Sequence, residues 1–269
     1  MLSKRILSAT IGALYLILVT YLGGWYFYIS VLLMMFIGLY EVYKALDKTS
    51  FRPLQIFGYL FAIISIPIFL FKGIAGIFVI FTLLCLSSVT LIVTGKSYFN
   101  VLSTIFCMIY PVLFFLFLVL VKSITPSYVG IIALAIIFIC TWITDSFAYF
   151  VGKNIGEHKL SPIISPNKTI EGAIGGLIAS CITGILFSIL VPFFHIKIEI
   201  FWFHYLILGF LCGIFSQLGD LSASAFKRFC QIKDFSNFFP GHGGLLDRFD
   251  SILFTAPMVY CYFILFLKI

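Results

Sequence analysis

Apolar runs of roughly bilayer-crossing length recur along this 269-residue chain. A spanning helix needs about 20 predominantly apolar residues. The runs are Ile6–Leu22, Trp25–Val42, Ile56–Phe71, Ile74–Val93, Val101–Val121, Tyr128–Phe150, Ala173–Phe194, Phe201–Leu218 and Ser251–Leu267. The third is short and holds Pro67, and Gly23-Gly24 demands a tight turn between the first two. Only 10% of residues are charged, against roughly 25% in soluble domains. The expectation is an all-α polytopic membrane protein with about nine transmembrane helices. It forms one integral membrane domain over residues 1–269, with N-terminal helices in 1–127 and C-terminal helices in 128–269.

Charge sets the expected orientation. With a cytoplasmic N-terminus, thirteen of the seventeen Lys and Arg fall on the cytoplasmic side. Lys72, Lys122, Lys197 and Lys268 fall on the far side, as does the C-terminus. This is the positive-inside bias. Together with attraction to anionic lipid head groups it accounts for the net charge of +7, without nucleic acid as a partner. The expected location is the cell (inner) membrane, multi-pass. Met1–Leu22, with Lys4 and Arg5, also looks like a signal peptide, but no A-x-A-like site follows, so an uncleaved first span is expected. The seven cysteines show no C-x-x-C pair and read as small hydrophobes rather than disulfides or zinc ligands.

Two cytoplasmic segments, Thr144–Gly172 and Gln217–Asp250, hold seven of the ten acidic residues. In the second, Asp220, Ser224, Lys227 and Arg228 share one helix face by spacing. Basic residues snorkelling at a helix end would explain Lys227 and Arg228 alone. They do not explain Asp220, which continues an apolar span. Pro240, Gly241, Gly243 and Gly244 make a turn-rich backbone whose N–H groups can form an anion-binding nest. Asp247 and Asp250 follow on one face of the last span, with Arg248 beside them. Capping accounts for one of these carboxylates, not for the convergence of three with Lys227, Arg228, Lys233 and His242. Carboxylates, cations and a glycine turn at a membrane boundary suit Mg²⁺ holding a polyphosphate. The first segment adds Asp145 and the stretch S-P-N-K-T-x-E-G, with Ser165, Asn167, Lys168, Thr169 and Glu171. Thr169 could equally be a helix cap. No H-E-x-x-H, Cys/His cluster, G-x-S-x-G or Walker A loop is present. Glycines at G-x-x-x-G spacing, Gly172/Gly176 and Gly209/Gly213, predict close helix packing or a homodimer face.

Ser224-x-Phe226-Lys227-Arg228, followed by Lys233-Asp234 and then His242-Gly243-Gly244-Leu245-x-Asp247-Arg248-Phe249-Asp250, resembles the signature of the phosphatidate cytidylyltransferase family of CDP-diacylglycerol synthases. Gln217-x-Gly219-Asp220 and S-P-N-K-T-x-E-G are similar to that family too. The resemblance implies CTP and phosphatidate as substrates, CDP-diacylglycerol and pyrophosphate as products, and Mg²⁺ with an associated K⁺. It places catalysis on Asp220, Lys227, Arg228, Asp247 and Asp250. It assigns substrate binding to Ser165, Lys168, Ser224, Lys233, His242, Gly243, Gly244 and Arg248, and metal binding to Asp220, Asp247, Asp250 and Asp145. The active site then faces the cytoplasm, where CTP is found, while the lipid substrate stays in the bilayer. Two rival readings remain: a CTP-dependent enzyme acting on another lipid, such as a polyprenol kinase or a CDP-archaeol-type synthase, and a transporter.

Overall fold

Within hydrocarbon no water is available to the backbone, so an apolar run satisfies its N–H and C=O groups by forming a helix. A computed structural model describes residues 2–72, 82, 85–86, 88–90, 93, 95, 97–193, 200–239 and 243–267. The helices are α1 (Leu2–Leu22), α2 (Gly24–Leu46), α3 (Gln55–Lys72), α4 (Tyr98–Lys122), α5 (Ser127–Ile155), α6 (Ile170–Phe193), α7 (Trp202–Phe229) and α8 (Leu246–Leu267). Among the described residues, α2, α4, α5, α6, α7 and α8 are long and apolar enough to cross a membrane. Shorter apolar stretches, Thr10–Leu22 and Gln55–Phe69, lie in α1 and α3. The run Ile74–Val93 falls largely outside the described residues.

The helices outrun their apolar stretches, and three do so beside the candidate site residues. α5 continues past Phe150, α7 continues past Leu218, and α8 begins ahead of Ser251. Hydropathy reports where hydrocarbon ends, whereas backbone hydrogen bonding carries a helix on into polar surroundings. Asp145, Asp220, Asp247 and Asp250 are therefore all helical. The α5–α6 connection adds a feature to the all-α expectation: an antiparallel ribbon of β1 (Lys159–Ser161) and β2 (Ser165–Thr169). Lys159 pairs with Thr169 and Ser161 with Ser165.

The chain divides into two compact units, Met1–Leu120 with Phe229–Arg248, and Val121–Arg228 with Phe249–Ile269. In the first, α2 packs on α1, α3 and the middle of α4. There a π-helical turn, Met108–Leu113, carries Pro111. A wider turn of this kind accommodates a residue that lacks an N–H. Met35, Leu39 and Val42 of α2 are fully buried.

In the second unit the glycine spacings serve packing inside the chain. A Cβ on Gly176 would lie 2.7 Å from the Thr144 carbonyl of α5. A Cβ on Gly209 would lie 2.5 Å from the Ser180 carbonyl of α6. Ser180 Oγ donates to the Gly209 carbonyl at 2.7 Å, so α6 and α7 meet backbone to backbone. Gly219 plays the same part between α7 and α8, where a Cβ would strike the Asp250 carbonyl oxygen. These contacts fix Asp145, Asp220 and Asp250 relative to one another.

Candidate active site

In the second unit, α7 presents Asp220, Ser224, Lys227 and Arg228 over its last turns. Ser224 Oγ donates to Asp220 Oδ1 at 3.3 Å, as the i, i+4 spacing predicts. The other oxygen, Asp220 Oδ2, lies 2.5 Å from Lys168 Nζ. Lys168 reaches it from β2, the strand that also carries Ser165. Thr169 ends this strand and starts α6, its hydroxyl accepting the Gly172 N–H at 3.2 Å. The cap reading of Thr169 is therefore correct. Glu171, in the first turn of α6, accepts the backbone N–H groups of Glu157 and His158, and its Oε1 lies 2.6 Å from His158 Nδ1. The ribbon is thus tied down at its base. Arg228 Nε donates to the Ile164 carbonyl at 3.3 Å, joining the end of α7 to the ribbon.

Asp145 and Asp250 complete this group. Ser216 Oγ donates to Asp145 Oδ1 at 3.4 Å. Asp145 is solvent-accessible, while Asp250 is only 9% exposed. Asp250 Oδ1 accepts the Ser251 N–H at 2.8 Å. Its carboxylate lies within electrostatic range of Asp220, Asp145 and Lys227. Three carboxylates and two lysines thus share one region of the unit. Concentrating like charges is costly unless cations offset them, most of all at the buried Asp250. Gln217, which the sequence pairs with Asp220 only as motif neighbours, bridges helices: Nε2 donates to the Ala173 and Gly213 carbonyls at 3.1 and 3.0 Å.

The first unit holds the remaining residues of the signature. Gly243 has φ +83°, a conformation that favours glycine, and its carbonyl accepts the Phe239 N–H at 2.9 Å. Asp247 Oδ2 accepts the N–H groups of Phe235 (2.8 Å) and Gly244 (2.9 Å). Lys233 and Arg248 are exposed. His242, together with Pro240 and Gly241, lies outside the described residues. Cys230, just beyond α7, is fully buried, and desolvation pushes its thiol up to about 11.

Sequence reasoning missed Glu41. This α2 residue is fully buried, and its carboxylate accepts hydrogen bonds from Ser236 Oγ and from the Leu245 and Leu246 N–H groups. The nest foreseen for a phosphate is therefore filled in part from within: consecutive N–H groups at 244, 245 and 246 end on Asp247 and Glu41. The available signal was a lone ionisable residue in the apolar run Trp25–Val42.

These features define a polytopic α-helical membrane protein that gathers carboxylates and lysines in one region of its second unit. The chain belongs to the cytidylyltransferase family, whose sequence pattern matches residues 3–266. A protein of Staphylococcus saprophyticus named phosphatidate cytidylyltransferase is 35% identical over 264 residues, covering 95% of this chain and 96% of its own length. A protein of the same name from Staphylococcus haemolyticus is 34% identical over the same shares of the two chains. Another from Bacillus subtilis is 46% identical over 125 residues, 46% of this chain and 45% of its own.

Proposed function

We propose that this nucleotidyltransferase makes CDP-diacylglycerol from CTP and phosphatidate. A phosphate oxygen of phosphatidate attacks the α-phosphorus of CTP, the bond to the bridging oxygen of the β-phosphate breaks, and pyrophosphate leaves. No side-chain nucleophile is required. Such a transfer depends on positioning and on neutralising charge. The observation that carries the reading is the cluster of Asp145, Asp220, Asp250, Lys168 and Lys227, in a chain that belongs to this family.

Among the described residues, no group of three or more His, Cys, Asp or Glu side chains is arranged to hold a metal unaided. Mg²⁺ is usually held by one or two carboxylates plus substrate phosphates. Asp220 and Asp250 would hold it, with Asp145 completing the cation site, and K⁺ would accompany it. Bound there, the metal would offset charge on the triphosphate. Lys168, Lys227 and Arg228 would take phosphate charge, with Ser165 and Ser224 as hydroxyl partners. Asp247 would organise the glycine turn and contribute to cation binding. Lys233, Arg248, His242, Gly243 and Gly244 would receive the nucleotide. The reading further comprises one membrane domain of nine spans in the cell (inner) membrane, with N-terminus and active site cytoplasmic and C-terminus on the far side. A homodimer is compatible with it.

Purified protein given α-labelled CTP, Mg²⁺ and phosphatidate should yield a labelled CDP-lipid, and excess chelator should abolish it. Label appearing only with polyprenol or ether-lipid acceptors would overturn the substrate assignment. A cytoplasmic C-terminal reporter would overturn the nine-span topology.

A further inference from the structure

Glu41 has no part in the function proposed above, yet its buried carboxylate accepts three hydrogen bonds. Its Oε1 lies 2.5 Å from Ser236 Oγ and 2.8 Å from the Leu245 nitrogen. Its Oε2 lies 2.8 Å from the Leu246 nitrogen. All three donors belong to the segment that leaves α7 and enters α8. The same segment carries Lys233, Gly243 and Gly244, and it leads into Asp247 and Arg248.

Gly244 fits closely against this carboxylate. A Cβ there would lie 2.5 Å from Glu41 Oε1 and 2.9 Å from Oε2. Asp247 holds the same segment through the Gly244 and Phe235 N–H groups. The two carboxylates thereby fix the backbone at 235, 236 and 244–246. Helix N-termini leave N–H groups without intrahelical partners, and a buried one is costly if unmet. An apolar side chain at 41 would strand the Leu245 and Leu246 N–H groups. A lone carboxylate is an expensive means of filling a spanning helix, so its retention at full burial needs a purpose beyond packing.

We infer that Glu41 is a positioning residue for nucleotide transfer. It holds Ser236, Gly244, Leu245 and Leu246 in the arrangement that presents Lys233 and Arg248 to CTP, without touching the reacting atoms itself. This rests on the assignment of that segment to the nucleotide.

The test compares full-length wild-type protein with Glu41→Ala, Glu41→Gln and Ser236→Ala, all purified in the same detergent. Rates are measured with CTP varied and with phosphatidate varied, and hydrogen exchange is followed across 233–246. Glu41→Ala should lower kcat/KM for CTP about 100-fold, the scale of a small misplacement. KM for phosphatidate should stay within about twofold, and exchange at the Leu245 and Leu246 amides, which Glu41 accepts, should rise. Glu41→Gln keeps the size and one acceptor, so it should recover activity to within about tenfold of wild type. Wild-type CTP kinetics in Glu41→Ala would overturn the inference. So would equal losses toward both substrates with no change in segment exchange, the mark of a general fold defect. If Glu41→Ala does not fold, Glu41→Gln and Ser236→Ala decide: unchanged exchange and unchanged CTP KM in both refute the role. A wild-type protein that makes no CDP-lipid would instead sink the assigned reaction, and the exchange data would still report whether Glu41 holds the segment.

Discussion

Lys168 Nζ lies 2.5 Å from Asp220 Oδ2, so a strand of the polar ribbon and the end of α7 beyond its apolar stretch share one ion pair. Both side chains are about a third exposed or less, which limits solvent screening. Lys168 thus sits where it can both orient Asp220 and meet a phosphate. Lys168→Met should lower kcat/KM by about 100-fold, or about 2.7 kcal/mol of transition-state stabilisation. Combining it with Asp220→Asn should cost much less than the product of the single losses, since the residues act together. Purely multiplicative losses in a double-mutant cycle would show that the two groups act independently.

Glu171 serves the ribbon more than His158 does. It accepts two backbone N–H groups as well as facing the imidazole, whereas the imidazole is largely exposed. Removing His158 leaves Glu171 its two backbone donors, whereas removing Glu171 loses every one of these bonds to the ribbon. Glu171→Ala should therefore lower Tm and activity more than His158→Ala, which should be nearly neutral. Equal effects in thermal unfolding and turnover would refute this ranking.

Gly209 and Ser180 test the helix contact beneath the cluster. A methyl group on Gly209 would press on the Ser180 carbonyl and force α6 and α7 apart. Gly209→Ala should destabilise the protein by about 1–3 kcal/mol, as overpacked sites do. Thermal unfolding in detergent reads this directly, and an unchanged Tm would show that the contact relaxes without cost.

What was legible in the sequence follows from what is local. The bilayer requires long apolar runs, so the helices could be placed from hydropathy alone. The face shared by Asp220 and Ser224 follows from a four-residue spacing, and their hydrogen bond confirms it. The ribbon was not legible, because Lys159–Ser161 and Ser165–Thr169 are short, polar and without alternation. The helical reach of α5 and α7 past their apolar stretches was hidden because hydropathy says nothing of backbone bonding. Glu41 was hidden because its meaning lies in N–H groups 204 and 205 positions away. Asp247 read as a ligand from its spacing with Asp250, and only the folded loop shows its bonds to Phe235 and Gly244.

Cys230 offers a pH-resolved check on the segment that follows α7. Burial pushes its thiol up to about 11, against 9.0 for an unperturbed thiol. A thiolate is the reactive form, and at pH 8 only about 0.1% of such a thiol is ionised. A variant keeping Cys230 as its single cysteine should therefore resist maleimide at pH 8 when folded and react readily once denatured. In the folded protein the rate should climb about tenfold per pH unit up to about pH 10. The sign for stability follows. The unfolded thiol ionises first, so the contribution of the buried neutral thiol is complete below pH 9 and is lost as pH rises toward 11. Rapid labelling of the folded protein at pH 8, or a rate independent of pH, would show that Cys230 is open to solvent rather than buried just beyond α7.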